Sequence, residues 1–78
     1  MNAAEAQDVK HLLLHSNDHY RQLVEQHHQL DHRLHELSGK YYLSSTEQLE
    51  EATIKKRKLA LKDQMEAIAR EYANGRSS

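Results

Sequence analysis

Apolar residues recur at alternating spacings of three and four along two long segments of this chain. In the first segment the recurring positions are Tyr20, Leu23, His27, Leu30, Leu34 and Leu37. In the second segment they are Ile54, Lys58, Leu61, Met65, Ile68 and Tyr72. This is the heptad spacing of helices that pack along a narrow seam, with one polar residue inside each run. The pattern predicts two long amphipathic helices.

Helix-capping residues lie between the two patterns. Ser38-Gly39 closes the first pattern, and glycine is common just past a helix end. Ser44 and Ser45 precede the second pattern, and Glu47 and Gln48 follow them at the three-residue spacing of a capping box. The intervening connection is short, so the two helices should run antiparallel.

A softer break at residues 16–18, which are all N-cap formers, separates a short helix at the N-terminus. We predict one helical-hairpin domain over residues 1–78, with a flexible tail at residues 74–78. Its helices are predicted near residues 3–15, 18–37 and 45–73. The expected fold class is all-α: an antiparallel two-helix coiled-coil hairpin with a short N-terminal helix, which self-associates.

An antiparallel register predicts which residues face one another across the seam. The expected pairs are Leu30 with Ile54, Leu23 with Leu61, Tyr20 with Met65, and His27 with Lys58. The predicted hairpin seam therefore consists of Tyr20, Leu23, His27, Leu30, Leu34, Ile54, Lys58, Leu61, Met65 and Ile68.

The two polar seam residues, His27 and Lys58, fall in one layer, and Asp31 follows His27 by one turn. Asp31 can accept a hydrogen bond from the imidazole or pair with Lys58. We predict that this polar layer, made of His27, Asp31 and Lys58, fixes the register of the helices. A proton-linked switch is the alternative, because histidine changes charge near neutral pH.

Composition supports helices and assembly. The 78 residues include no proline, no cysteine and two glycines. A domain of this size is marginally stable alone, and without cysteine neither disulfides nor thiolate zinc sites can stabilise it. Some leucines lie off the seam, and we expect them to bind a second copy or a partner helix. These possible partner-binding residues are Leu12, Leu13, Leu49 and Leu59.

The basic segment at residues 55–62 raises the alternative of a nucleic-acid-associated factor. Residues 1–54 carry a net charge of −5 and residues 55–78 a net charge of +4. Lys55, Lys56, Arg57 and Lys58 point in different directions on a helix, whereas a nucleic-acid footprint concentrates its cations on one face. Lys55, Lys56, Arg57 and Lys62 would carry that alternative function.

Seven histidines are unusual in a chain of this length. His28, His32 and His35 share one helical face at the spacing that can chelate a transition metal. A structural zinc site needs four protein ligands and a supporting shell of hydrogen bonds. We expect no dedicated metal site and no cofactor, with weak histidine-mediated metal binding as a third possible function.

Two motifs resemble those of the YdcH-like family of small bacterial proteins of unknown function. The first is "NDHYRQLVEQHHQLD" at residues 17–31, which contains the His-x-x-Leu-Asp element formed by His27, Leu30 and Asp31. The second is "IKKRKLALKDQM" at residues 54–65. The resemblance covers about half of the chain. It implies a helical hairpin with no assigned catalytic activity.

Other functions have little support in the sequence. No glycine-rich turn presents a nucleophile or binds phosphate, the carboxylates are dispersed, and a hairpin has no enclosed pocket, so we expect no enzyme. No segment is long and apolar enough to span a bilayer, and no signal peptide is evident, which favours a cytoplasmic protein without membrane contact. We predict a small helical module for protein–protein interaction or assembly, in an unidentified process.

Overall fold

The computed structural model describes the backbone of residues 3–77 and the side chains of residues 7–75 as three helices. These helices are α1 (Ala3–Ser16), α2 (Asp18–Ser38) and α3 (Ser45–Ser77). No strand occurs within the described residues. The helix pair α2 and α3 packs closely and antiparallel, which confirms the predicted all-α hairpin. The molecule is elongated, with extents of 51 × 22 × 17 Å.

A single residue, Asn17, separates α1 from α2. Its backbone is extended, with φ −125° and ψ 107°. The Asn17 side chain accepts a hydrogen bond from the Tyr20 backbone N–H at 2.8 Å, as an N-cap does. Its backbone N–H still donates to the Leu13 carbonyl at 2.9 Å. One non-helical residue therefore changes the chain direction while both helix ends keep their hydrogen bonds.

The connection from α2 to α3 is closed by caps at both ends. Gly39 ends α2, and its N–H donates to the His35 carbonyl at 3.1 Å. Its φ of −81° is right-handed, so this cap does not depend on the left-handed freedom of glycine. At the start of α3, the Glu47 N–H donates to Ser44 Oγ at 3.1 Å. The Ser44 N–H donates back to Glu47 Oε1 at 3.0 Å, which confirms a capping box at this pair.

Helix α3 continues to Ser77, beyond the predicted end near residue 73. The prediction treated residues 74–78 as a flexible tail, because chain termini are commonly poorly ordered. Tyr72 and Ala73 pack against buried residues of the N-terminal core, and this packing holds the last turns of the helix in place. A helix tolerates a glycine near its end at a cost of about 1 kcal/mol. Residue 78, the last of the predicted flexible tail, lies outside the described residues.

The N-terminal helix folds back on the open end of the hairpin and contacts both α2 and α3. The buried cluster there consists of Val9, Leu13 and Tyr20, with Met65 and Ile68 packed against it. Val9 and Leu13 lie one turn apart on the same face of α1, so both point into the hairpin. Burying a side chain of this kind contributes about 1.5–3 kcal/mol.

The prediction that Leu13 is available to bind a partner is therefore wrong. Leu13 is 2% exposed within the core cluster and is not available to a partner. The neighbouring residue, Leu12, points away from this face and is 41% exposed. The sequence pattern treated both as one outward stripe, because the position of α1 depends on the single-residue break at Asn17.

Among residues 3–77, none of the helices combines the length and the apolarity that a membrane span requires.

Candidate functional site

The ten residues of the predicted seam all lie at positions that are at least half-buried. The buried members are Tyr20, Leu23, Ile54 and Leu61. The half-buried members are His27, Leu30, Leu34, Lys58, Met65 and Ile68. Burial raises the pKa of the Tyr20 phenol above its ordinary value. These side chains fill the space between the helices, so the seam positions the rest of the surface and does not itself offer a binding site.

An ion pair joins two residues of the polar layer across the hairpin. Lys58 Nζ lies 2.5 Å from Asp31 Oδ1. The Lys58 ammonium lowers the pKa of Asp31 through this hydrogen bond, and His27 on the preceding turn adds a smaller effect of the same sign. Of the two partners open to Asp31, the structure thus pairs it with Lys58. The lysine stem crosses the seam and its charged end reaches the surface.

A second ion pair between the helices was not identified from the sequence. The Arg33 guanidinium donates to both carboxylate oxygens of Glu50, through Nε and an Nη atom, each at 2.8 Å. This hydrogen bonding lowers the pKa of Glu50 and raises that of Arg33. Neither residue belongs to the apolar pattern. Their positions in the sequence could have indicated the pair. In the antiparallel register, Arg33 and Glu50 flank the seam next to Leu34 and Ile54.

A third ion pair closes the tip of the hairpin. Lys40 Nζ donates to Glu47, the residue that also completes the capping box with Ser44. These hydrogen bonds, the one from Lys40 first, lower the pKa of Glu47 to about 2. Glu47 therefore links the connection to the first turn of α3.

The basic segment does not form a continuous cationic face. Lys58 pairs with Asp31, and Lys55 lies 3.6 Å from Glu51 one turn earlier. Lys56, Arg57 and Lys62 are exposed. Successive helical residues diverge by about 100°, so these three cations point to different sides of α3.

Three of the histidines border a shallow open groove between α2 and α3. Its lining consists of His28, Asp31, His32, Leu34, His35, Ser38, Glu51 and Lys55, around about 570 Å³. His32 Nε2 lies 3.2 Å from Glu36 Oε1 on the same helix. In the part of the chain that the structure describes, no three histidine or carboxylate side chains come close enough together to hold a metal ion. His28, His32 and His35 are therefore exposed residues along one side of α2.

Large apolar side chains remain exposed on the outside of the hairpin. Leu49 is 69% exposed and Leu59 is 62% exposed. At about 100° per residue both lie away from the seam side of α3, and Leu49 also borders an open groove with Leu30 of α2. Tyr41 and Tyr42, in the connection after Gly39, are also exposed. The sequence reasoning treated this tyrosine pair only as a linker. Their exposure could have been suspected from the sequence, because the two tyrosines follow a helix cap and lie outside both heptad patterns.

The model of the family described as "Protein of unknown function (DUF465)" matches residues 21–69. The chain belongs to this family. DUF465 is the YdcH-like family of small bacterial proteins, which confirms the predicted resemblance. Neither the curated proteins nor the solved structures provide a match to the chain.

The DUF465 region comprises most of the hairpin and does not include α1. It begins at Arg21 in α2 and ends at Ala69 in α3, and so contains all three ion pairs that close the hairpin. The buried residues Val9, Leu13 and Tyr20 precede it. The exposed Leu49 and Leu59 lie inside the DUF465 region, whereas the exposed Leu12 lies outside it.

Proposed function

We propose that this protein is a non-catalytic helical interaction module, which binds a second copy of itself or a helix of another protein. The observation that carries the proposal is the exposure of Leu49 and Leu59 on the outer face of α3. The inner face of α3 is already occupied by α2 and α1. Apolar side chains on the remaining face can be removed from water only by another molecule.

The rigidity of the hairpin supports this role. The capping box at Ser44 and the ion pairs from Arg33 and Lys58 hold α3 against α2. A helix held in place loses little conformational entropy when a partner binds it. The described surface has shallow, open grooves, which suit a protein partner better than a small substrate. We also propose that the protein is cytoplasmic and acts without membrane contact.

The test is site-specific photo-crosslinking inside the native cell. A benzoylphenylalanine at position 59 should give crosslinked adducts, with the chain itself or with another protein. Adding Leu49→Lys should abolish them, because it places a positive charge on the same face, where the segment of basic residues is already cationic. The same crosslinker at Glu25, an exposed residue of α2, is the control. Adducts at position 59 that are no more abundant than at position 25 would contradict the proposal.

A nucleic-acid-associated role is the second candidate, and three exposed cations favour it. Lys56, Arg57 and Lys62 form no ion pair within the described residues. Phosphate contacts weaken steeply as salt concentration rises. A gel shift that is lost with added salt and with Lys62→Glu would support this role. No shift at low salt would contradict it.

A further inference from the structure

The outer face of α3 carries a stripe of small and apolar side chains that includes two opposite charges. At about 100° per residue this outer stripe lies opposite the seam position Ile54. Every member of the stripe is exposed. Its central part consists of Ala52, Lys56, Leu59, Ala60, Asp63 and Ala67. Ala60, at one edge of the stripe, also borders an open groove with Gln29 and Leu30 of α2.

The two charges of the outer stripe have no partner on their own helix. Lys56 and Asp63 are seven residues apart, which is two turns on the same face. Neither forms an ion pair within the described residues. The residues three and four positions from Lys56 are uncharged, and the only charged residue at those spacings from Asp63 is Glu66, which has the same sign. Both charges are therefore available to a group outside the chain.

The order of residues in the outer stripe is self-complementary when it is read in the opposite direction. Its midpoint lies between Leu59 and Ala60. When a second α3 is placed antiparallel across this midpoint, Lys56 faces the partner's Asp63 and Asp63 faces the partner's Lys56. A large side chain, Leu59, then faces a small one, the partner's Ala60, which is favourable for close packing.

The flanking positions fit the same register. Ala52 faces the partner's Ala67, and two small side chains allow the helices to approach closely. Leu49, at the edge of the stripe, faces the partner's Arg70, whose apolar stem can cover a leucine while its guanidinium stays in water. A parallel pairing would instead place Lys56 against the partner's Lys56 and Asp63 against the partner's Asp63, which is repulsive.

We infer that a second copy of this chain docks on the outer stripe, antiparallel about a two-fold axis between Leu59 and Ala60. The contact is isologous, so each complementary pair occurs twice. This inference rests on the proposed function and identifies its partner. The reciprocal pairs between Lys56 and Asp63 set the register, and Leu59 is the main apolar contact.

Sedimentation velocity tests the inference with charge reversals. Lys56→Glu and Asp63→Lys should each weaken self-association about tenfold or more, because each replaces two attractive pairs with two repulsive ones. Lys62→Glu and Glu25→Lys make the same changes of charge outside the outer stripe and should leave association unchanged. Circular dichroism checks that every variant stays folded. Equal effects of the stripe variants and the control variants would overturn the inference.

A mixing experiment tests the direction of pairing. An equimolar mixture of Lys56→Glu and Asp63→Lys should associate, because every cross-pair is then attractive. The double variant Lys56→Asp/Asp63→Lys should associate with itself but not with the wild type. Association of this double variant with the wild type would overturn the antiparallel register.

The inference and the proposed function fail in different ways. A wild-type chain that stays monomeric up to about 1 mM would overturn the inference. Photo-crosslinking at position 59 to another protein would then still uphold the interaction module. Absence of crosslinking at that position, together with a monomeric chain, would overturn both.

Discussion

Arg33 on α2 and Glu50 on α3 form a two-pronged ion pair across the hairpin, with both hydrogen bonds at 2.8 Å. Planar guanidinium and carboxylate groups match in this geometry, which makes such pairs stronger than a single-contact pair. The pair lies beside the seam, where it borders an open groove with Leu30 and Ile54. The pair therefore helps to fix the register of α2 against α3.

A double-mutant cycle should measure this contribution. Arg33→Ala, Glu50→Ala and the double variant should give a favourable coupling free energy in urea unfolding. The coupling between Lys55 and Glu51, at 3.6 Å on one exposed helix face, should be smaller. Equal couplings for the two pairs would contradict the structural role of Arg33.

Leu13 and its neighbour Leu12 make a matched pair for testing the position of α1. Leu13→Ala should lower the free energy of unfolding by about 2–5 kcal/mol, because it leaves a cavity in the core. Leu12→Ala, at an exposed position, should lower it by less than about 1 kcal/mol. Urea unfolding followed by circular dichroism measures both. Similar losses for the two variants would show that α1 does not pack on the hairpin in this orientation.

Acid should destabilise the hairpin through Glu47. The pKa of Glu47 is lowered to about 2 in the folded chain, whereas an unfolded glutamate titrates near 4.3. A lowered pKa stabilises the fold fully above the unfolded value, and this stability is lost as pH falls towards the folded value. Asp31 and Glu50, whose pKa values are also lowered, contribute in the same direction.

The stability of the wild type should thus fall between about pH 5 and pH 2. Glu47→Gln should flatten that dependence while lowering stability at neutral pH. Glu25→Gln, the same change at an exposed position of α2 outside the ion pairs, is the control and should keep the wild-type profile. A wild type and a Glu47→Gln variant with parallel pH profiles would contradict the assignment.

The polar layer should determine register at the expense of stability. We predict that His27→Leu raises the free energy of unfolding, because a half-buried polar side chain is replaced by an apolar one. It should also broaden the distance distribution between spin labels at Gln22 and Gln64. Higher stability with an unchanged, narrow distribution would contradict a role for His27 in register.

Much of the fold could be predicted from local signals in the sequence. The heptad spacing identified the two long helices, and the three-residue spacing of Ser44 and Glu47 identified the start of α3. These features depend on residues that are close in the chain. The hairpin followed because a short connection leaves two amphipathic helices little choice but to pack antiparallel.

Features that depend on tertiary geometry were beyond the sequence. Whether Leu12 or Leu13 is buried depends on the direction that α1 takes after Asn17, which periodicity does not encode. The pairing of Arg33 with Glu50 requires the register to within one residue. The exposure of Tyr41 and Tyr42 depends on the path of the connection after Gly39. The outer stripe was visible only as scattered leucines until the inner face of α3 was known.

The most direct test of a self-associating module is an isotope-filtered NOE experiment on an equimolar mixture of labelled and unlabelled chains. At a concentration where sedimentation detects the dimer, we predict intermolecular NOEs between the Leu59 methyl groups and the Ala60 methyl group of the other copy. The Lys56→Glu variant, which keeps both groups of methyl protons, should lose them. Intermolecular NOEs confined to Tyr41 and Tyr42, or none at all, would contradict the docking of a second copy on the outer stripe.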